Sequence, residues 1–210
     1  MPRPAGVRNR DFDEKKRLLI ETLTEFALTS DLRRPSLRQF AQAASASEPT
    51  LRHYFSDRQG LVIAILETIG RRGRLLWETV ATGSASPADA IKEYYRISEA
   101  GMRHGGFIRA HAFGIIEGVA DPDVARAYLK YVLEPALAAV RRKLADTPGA
   151  PNGETALRAA SLAALAPLLM MSLHQDLLGG GDDWPFDGDA TIRHLETWLS
   201  AAFEATPAVA

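Results

Sequence analysis

Apolar residues recur every three or four positions along most of this chain, and no segment alternates apolar and polar residues as a half-buried strand would. The pattern predicts an all-α protein of about nine helices. Turn-forming residues separate them, most clearly at Gly105-Gly106, at residues 147–153 and at residues 179–189. The predicted helices are 13–29, two short helices within 36–56, 57–81, one from 86, 107–119, one from 121, 154–178 and 190–203.

Residues 36–61 have the pattern of two short helices joined by a tight turn. Ser36 and Gln39 form a capping box that opens the first short helix. The small residues at 43–46 allow two steeply crossing helices to approach closely. Ser47 is a good cap for the second short helix. This layout is typical of a helix-turn-helix, in which the second helix reads the DNA major groove.

The elements around this motif are predicted from the same kind of signals. Leu51, Tyr54 and Phe55 supply the buried side of the second short helix. Ser56 with Gln59 is interpreted as a second capping box that opens the next helix. Asp11 with Glu14 is interpreted as a capping box for the first helix. The apolar stripe of that first helix should hold the two short helices at a fixed angle, and it comprises Leu19, Leu23, Phe26 and Ala27.

At this point the chain resembles the TetR family of transcriptional repressors. The resemblance covers residues 13–29, the helix-turn-helix and the start of the next helix. The positions that agree in order and spacing are Ala41, Ser45, Ser47, Thr50, Leu51, Tyr54, Phe55, Arg58 and Leu61. The resemblance implies an N-terminal three-helix DNA-binding domain and a larger C-terminal helical domain for effector binding and dimerisation. It also implies repression of transcription.

Three residues depart from the family pattern. Ser45 stands at a turn position that is often Gly, and a left-handed turn there would cost on the order of 1 kcal/mol. Arg52 replaces a common aromatic residue and could contact a phosphate or a guanine edge. Glu48 replaces a basic or neutral residue, which weakens attraction for phosphate or provides an acceptor for a cytosine amino group.

Composition and charge agree with this interpretation. The chain of 210 residues is 46% hydrophobic and 24% charged, which are ordinary values for a globular protein. The absence of Cys excludes a disulfide scaffold and a cysteine metal site. Residues 1–74 hold 14 Lys or Arg against 9 Asp or Glu, whereas residues 75–210 hold 11 against 17. A difference of this size also arises by chance, so it only reinforces the motif.

The domain organisation follows from the motif and the helix pattern. Residues 1–10 are predicted to form a basic flexible arm, in which Arg3, Arg8 and Arg10 could reach the minor groove. Residues 11–56 form the predicted DNA-binding domain, and residues 57–210 form the predicted effector-binding and dimerisation domain.

The expected partners are double-stranded DNA with a palindromic operator, a small-molecule effector and a second copy of the chain. Thr50, Arg52 and His53 are predicted to face bases or phosphates, and Pro49 a thymine methyl group. The full set of candidate DNA-binding residues is Ser36, Arg38, Ser47, Pro49, Thr50, Arg52, His53, Tyr54 and Arg58.

An apolar effector pocket is expected between the fourth and eighth predicted helices, because aromatic and Met side chains with a few polar groups suit such a ligand. The candidates are Trp77, Tyr94, Tyr95, Met102, Phe107, His111, Phe113, Glu117, Tyr128, Tyr131, Met170, Met171 and His174. For any single residue among them, a place in the ordinary core is the favoured interpretation.

The last two predicted helices are expected to form the dimer interface. Small residues crowd the first of them, and bulky residues follow at spacings of three and four. The candidates are Leu162, Leu165, Leu169, Leu173, Ile192, Leu195, Trp198, Leu199 and Phe203. The alternative is that both helices belong to the core of one chain.

Catalytic, metal and cofactor motifs are not found in the sequence, so we expect no enzyme activity, no metal and no cofactor. The start of the chain lacks the apolar core of a signal peptide, and no membrane partner is expected, so a cytoplasmic location is predicted. A helical enzyme stays possible. The main alternative is a helical ligand-binding or adaptor protein that has lost specific DNA binding.

Overall fold

The protein is all-α, as predicted. The computed structural model describes residues 5–30, 34–151 and 153–205. Within these ranges, the side chains of residues 5–10, 102–105 and 204 are not described. The α-helices are α1 Ala5–Thr29, α2 Leu37–Ala43, α3 Glu48–Phe55, α4 Arg58–Val80, α5 Pro87–Gly105, α6 Phe107–Val119, α7 Pro122–Tyr128, α8 Glu134–Ala145, α9 Glu154–Ser172, α10 Gly180–Asp183 and α11 Gly188–Glu204. Two π-helical segments, Leu129–Leu133 and Leu173–Leu177, follow α7 and α9.

The chain forms two compact units that do not follow its linear order. Unit 1 comprises Met1–Arg72 and Arg109–Val132, and unit 2 comprises Gly73–Ile108 and Leu133–Ala210. The segment containing most of α6 and all of α7 therefore groups with the helix-turn-helix. The sequence placed that segment in the C-terminal domain, because chain order alone does not reveal which distant segments pack together.

In unit 1, the helix-turn-helix has the predicted caps and turn. The Ser36 hydroxyl accepts the Gln39 backbone N–H at 3.3 Å, and the Gln39 side chain accepts the Ser36 backbone N–H at 2.8 Å. The Ser47 hydroxyl accepts the Thr50 backbone N–H at 3.2 Å. Ser45 has a φ of 49°, so the turn is left-handed and carries the cost that the sequence associates with that conformation.

The predicted capping box of Ser56 and Gln59 is wrong. Ser56 is the C-cap of α3 with a φ of 71°, and α4 begins two residues later. The Asp57 carboxylate instead accepts the Gly60 backbone N–H at 2.7 Å. A Cβ on Gly60 would lie 2.1 Å from the Phe55 carbonyl oxygen, so this tight connection requires glycine.

The predicted capping box of Asp11 and Glu14 is also wrong, because α1 begins at Ala5 and continues through both residues. Residues 5–10 of the predicted flexible arm are therefore helical. Arg3 and the side chains of Arg8 and Arg10 lie outside the described part of the chain.

The long helix predicted from residue 121 is interrupted near Pro135, the residue at which the sequence predicts a kink or a break. A proline inside a helix removes one backbone donor and crowds the preceding turn. The chain accommodates it with the π-helical segment Leu129–Leu133, after which α8 begins at Glu134 with Pro135 in its first turn. By contrast, Pro167 lies inside α9 without ending that helix.

The core of unit 2 forms where α5, α8, α9 and α11 meet. The Lys143 side chain is buried there and donates to Glu93 Oε2 and to the Thr82 carbonyl oxygen, both at 2.8 Å. These bonds compensate the cost of burying the ammonium group. Hydrogen bonds from Lys143, which has the larger effect, and from Ser84 hold the pKa of the Glu93 carboxyl below its usual range.

Residues 154–177 are long and apolar enough, by length and composition alone, to cross a membrane. One third of the most apolar stretch is buried within the protein, where it contributes to the unit 2 core. A core helix of a water-soluble protein passes the same test.

Replacing Ser45 by Gly should stabilise the protein, because glycine adopts a φ of 49° without a Cβ penalty. We expect the free energy of unfolding to rise by about 0.5–1 kcal/mol, measured by urea denaturation. Ser45→Ala keeps the penalty and serves as the control. Equal stabilities of the two variants would contradict a strained turn.

Candidate nucleic-acid interface

The second helix of the helix-turn-helix, α3, has one buried and one exposed face. Leu51 and Phe55 are buried in unit 1. Pro49, Arg52 and His53 are exposed on the other side, where a DNA groove could reach them. The helix thus presents three of the predicted contact residues to solvent while its apolar residues fix its position.

The predicted hydroxyl contacts come from residues that also cap helices. The Ser47 and Thr50 hydroxyls share a hydrogen bond of 2.8 Å, and Ser36 Oγ donates to Gln39 Oε1 at 3.0 Å. Ser36 and Ser47 are exposed, and Thr50 is half-buried. These groups therefore hold the start of α2 and of α3, and their contact with DNA stays a prediction.

A cluster of three aromatic rings, Phe12, His53 and Tyr54, supports the end of α3 and was not predicted from the sequence. The Phe12 ring of α1 lies 5.4 Å from His53 and 4.8 Å from Tyr54, measured between ring centroids. The sequence could have indicated this contact, because Phe12 lies seven residues, or two helical turns, before Leu19 and so continues the apolar stripe of α1. The contact fixes the direction of His53, which is otherwise exposed.

The exposed charges of the interface are mixed. Arg38 on α2 and Arg52 on α3 both face solvent. Arg52 lies 3.9 Å from Glu48 in an exposed pair one helical turn apart. Such a pair contributes little stability, so the Arg52 guanidinium can exchange Glu48 for a phosphate or a base at small cost.

Arg58 has a set of partners that the sequence did not predict. Its Nε donates to the Pro35 carbonyl oxygen at 2.7 Å, and both terminal nitrogens donate to the Glu117 carboxylate, one of them at 2.9 Å. Arg34 Nε also donates to Glu117, at 3.2 Å. The side chain of Glu117 is only 1% exposed. Arg58 therefore acts within unit 1 as the partner of a buried carboxylate, and a phosphate contact would have to use its remaining exposed edge.

Glu117 was a candidate effector residue, and in the structure its carboxylate is bound by Arg34 and Arg58.

A second polar contact in unit 1 joins α4 to the cap of α7. The Gln59 side-chain amide donates to the Asp121 carboxylate at 2.9 Å and 3.0 Å, and Asp121 also caps α7. The hydrogen bond from Gln59 holds the pKa of the Asp121 carboxyl below its usual range.

The other effector candidates are divided between the two units. Unit 1 holds His111, Phe113, Tyr128 and Tyr131, and unit 2 holds Trp77, Tyr94, Tyr95, Phe107, Met170, Met171 and His174. Tyr94, Tyr95, Phe113 and Tyr128 are buried, Met170 is exposed, and the side chain of Met102 lies outside the described part. Met171 lines a cavity of about 290 Å³ in unit 2.

His111 and Tyr128 form a polar pair in unit 1. His111 Nδ1 lies 2.9 Å from the Tyr128 hydroxyl. A Cβ on Gly114 would lie 2.2 Å from the Tyr128 ring, so glycine permits this ring to approach α6. Burial lowers the pKa of the His111 imidazole to about 4, and burial raises the pKa of Tyr128 to about 12.

The dimer candidates separate into core residues and exposed residues. Leu165 and Phe203 are buried, and five others pack partly buried in unit 2, namely Leu169, Leu173, Ile192, Leu195 and Leu199. Leu162 is 54% exposed and Trp198 is 63% exposed. Leu162 belongs to an exposed apolar stripe of α9, which comprises Ala159, Leu162, Ala163, Ala166 and Met170.

Removing the partner of the buried carboxylate should destabilise the protein. Arg58→Ala leaves Glu117 with Arg34 alone, and we expect the free energy of unfolding to fall by about 2–4 kcal/mol. Urea denaturation measures this change. Arg126→Ala is the control in the same unit, since Arg126 pairs with the exposed Asp123 and its loss should cost under about 1 kcal/mol. Equal losses would show that the Glu117 pair is not a stabilising contact.

The pKa of His111 predicts a loss of stability in acid. Because the folded-state pKa of about 4 lies below the usual value of 6.5, the unfolded chain binds more protons between these values, and stability falls as the pH drops through that window. We expect His111 to contribute about 1 kcal/mol of this loss between pH 7 and pH 5. This value is smaller than the full pKa shift implies, because His111 is half-buried and solvent screens part of its charge. Urea denaturation of the wild type and His111→Gln at both pH values measures it. Parallel losses in the two proteins would contradict the assignment.

The chain is similar in fold to several solved structures. No family model matches the chain, and no curated protein matches it. A proposed TetR-family transcriptional regulator from Mesorhizobium loti aligns over 90% of this chain and 95% of its own, with a TM-score of 0.66 and 18% identity. A proposed transcriptional regulator from Pseudomonas aeruginosa aligns over 90% of each chain, with a TM-score of 0.62 and 19% identity.

A third solved structure is a TetR-family transcription regulator from Marinobacter aquaeolei. It aligns over 93% of this chain and 98% of its own, with a TM-score of 0.58 and 16% identity. Each of these alignments spans at least 90% of both chains. The chain therefore has the all-helical fold of TetR-family transcriptional regulators.

Proposed function

We propose that this protein is a DNA-binding transcription regulator, and specifically a repressor that binds a palindromic operator as a dimer. The observation that carries the proposal is the capped recognition helix α3, with apolar residues buried and Arg52 and His53 exposed. Arginine donates two hydrogen bonds to a guanine edge, and histidine donates to bases or phosphates. The fold similarity and the basic excess of residues 1–74 support the same function.

The proposed contacts separate into those that position the protein and those that read sequence. Thr50, Arg52 and His53 reach base edges or phosphates, and Pro49 a thymine methyl group. Ser36, Arg38 and Tyr54 contact the sugar-phosphate backbone. Such backbone contacts provide salt-dependent affinity without sequence information.

Dimerisation through α9 and α11 is proposed because these helices expose apolar surface. The stripe from Ala159 to Met170 on α9 and the Trp198 ring on α11 are accessible to solvent. Small side chains on such a stripe let a partner helix approach closely. Two recognition helices related by a two-fold axis then match two half-sites of a palindrome.

Release from DNA is proposed to follow two-state linkage. The chain passes between the two units inside α4, inside α6 and at the π-helical segment Leu129–Leu133, so each connection is helical. The protein is proposed to exchange between a conformation that binds DNA and one that does not. An effector that binds the second conformation a hundred-fold more tightly than the first would shift this equilibrium by roughly 2.7 kcal/mol.

The remaining proposals concern organisation and location. The DNA-binding domain is proposed at residues 11–56 and the effector and dimer domain at residues 57–210, a division by function that differs from the two compact units because residues 57–72 and 109–132 belong to unit 1. We propose a non-enzymatic, cytoplasmic protein without a membrane partner. Among the described residues, no group of three or more His, Cys, Asp or Glu could hold a metal ion.

The test is binding of the purified protein to the DNA upstream of its own gene across a salt series, with selection from random duplexes in parallel. We expect tight binding to a palindrome, with affinity that falls steeply as salt rises. Failure of both experiments to yield a specific site would favour the alternative of a helical ligand-binding or adaptor protein.

Arg52→Ala should change the preferred operator as well as the affinity, with a loss of about 1–3 kcal/mol at the base pair that Arg52 reads. Selection from random duplexes measures the preference. Arg142→Ala is a matched control, since Arg142 also forms an exposed pair at 3.9 Å one turn apart, with Asp146 at the C-cap of α8. Identical selected sequences for Arg52→Ala and the wild type would refute a reading role for Arg52.

A further inference from the structure

Unit 2 contains a cavity of about 290 Å³. Its walls come from α5, α9, the π-helical segment after α9, the loop before α11 and the first turns of α11. It is not the pocket expected from the sequence, since Met171 alone of the thirteen effector candidates lines it within the described residues. The volume is at the lower end of the range for ligand pockets, which favours a compact ligand.

One side of the cavity is apolar. Leu168 is buried in the unit 2 core, and Met171 and Ile192 pack against that core while lining the cavity. The Phe186 ring completes this side, and its centroid lies 5.5 Å from that of His174. An apolar group of a ligand would therefore find aliphatic, thioether and aromatic surface.

The charged groups that line the cavity are all acidic. They are Glu99, Asp176 and Asp189, and no Lys or Arg is among the described residues that line it. Within the described part of the chain, the carboxylates of Asp176 and Asp189 have no hydrogen-bond or ion-pair partner. Two carboxylates beside an apolar wall favour a positively charged group over an anion.

The acidic side depends on the π-helical segment Leu173–Leu177. This widened turn carries Gln175 and Asp176, which both line the cavity. The Gln175 side chain also holds the adjacent loop, because it donates to the Trp184 carbonyl oxygen at 3.5 Å and accepts the Phe186 N–H at 3.4 Å. Single-turn π-helical segments are frequent at functional sites.

We propose that this cavity binds a compact amphipathic organic cation, an amine with an apolar body, as the effector of the protein. The apolar body packs on Leu168, Met171 and Ile192, and the ammonium group lies beside Asp176 and Asp189. The effector role rests on the proposed regulatory function, whereas the binding itself does not.

Ligand-observed NMR titration of the purified full-length protein tests binding without DNA. The probes are 2-phenylethylammonium, the neutral 2-phenylethanol and the anionic 3-phenylpropanoate, which have similar size and the same ring. We expect the cation to bind at least about tenfold more tightly than the alcohol, and the carboxylate to bind weakest. Equal affinities of the cation and the alcohol, or no binding of the cation, would overturn the proposal.

The location is tested by a double variant with a matched control. Asp176→Asn with Asp189→Asn removes the two carboxylates proposed to face the ammonium group, and we expect affinity for 2-phenylethylammonium to fall about tenfold or more. Asp182→Asn with Asp183→Asn removes the same charge from exposed residues of α10 that do not line the cavity. Equal effects of the two double variants would overturn the site.

DNA binding is measured separately on the same protein. Cation binding with no specific DNA binding would support the cavity and refute the regulator. Specific DNA binding with no preference for the cation would refute the cavity and leave the regulator supported.

Discussion

A buried carboxylate that must be neutralised determines how unit 1 is arranged. Glu117 is almost fully inaccessible, and an unpaired charge in such a place would be strongly destabilising. Arg58 reaches it from the first turn of α4, and Arg34 reaches it from the segment before α2. The same Arg58 guanidinium binds the Pro35 carbonyl oxygen, which precedes the cap of α2. One carboxylate on α6 thus connects the segments that border the helix-turn-helix on both sides.

In α3, packing and the proposed DNA contact use opposite faces of the same short helix. Leu51 and Phe55 hold the helix in unit 1, and Phe12 supports His53 and Tyr54 at its end. The exposed side retains polar groups that are engaged only in weak contacts, such as the pair of Arg52 with Glu48. A DNA partner could replace those contacts without disturbing the buried face.

Unit 2 combines a conventional apolar core with features that the core does not require. Within the described residues, Asp176 and Asp189 at the cavity beside the second π-helical segment have no ion-pair partner, and α9 and α11 retain exposed apolar side chains. Solvated carboxylates and accessible aromatic or Met side chains contribute little to the stability of one chain. Their placement is instead consistent with the proposed effector and dimer surfaces.

The sequence by itself determined the helical content, most helix limits, the caps at Ser36 and Ser47 and the position of the tight turn between α2 and α3, because these depend on residues within one or two turns of each other. Only the tertiary structure decided the partners of Glu117, the contact of Phe12 with α3 and the cavity at Asp176. Those contacts join residues far apart in the chain, and no local pattern specifies which distant side chains meet. The same reason explains why segment 109–132 groups with the helix-turn-helix although the sequence assigned it to the C-terminal domain.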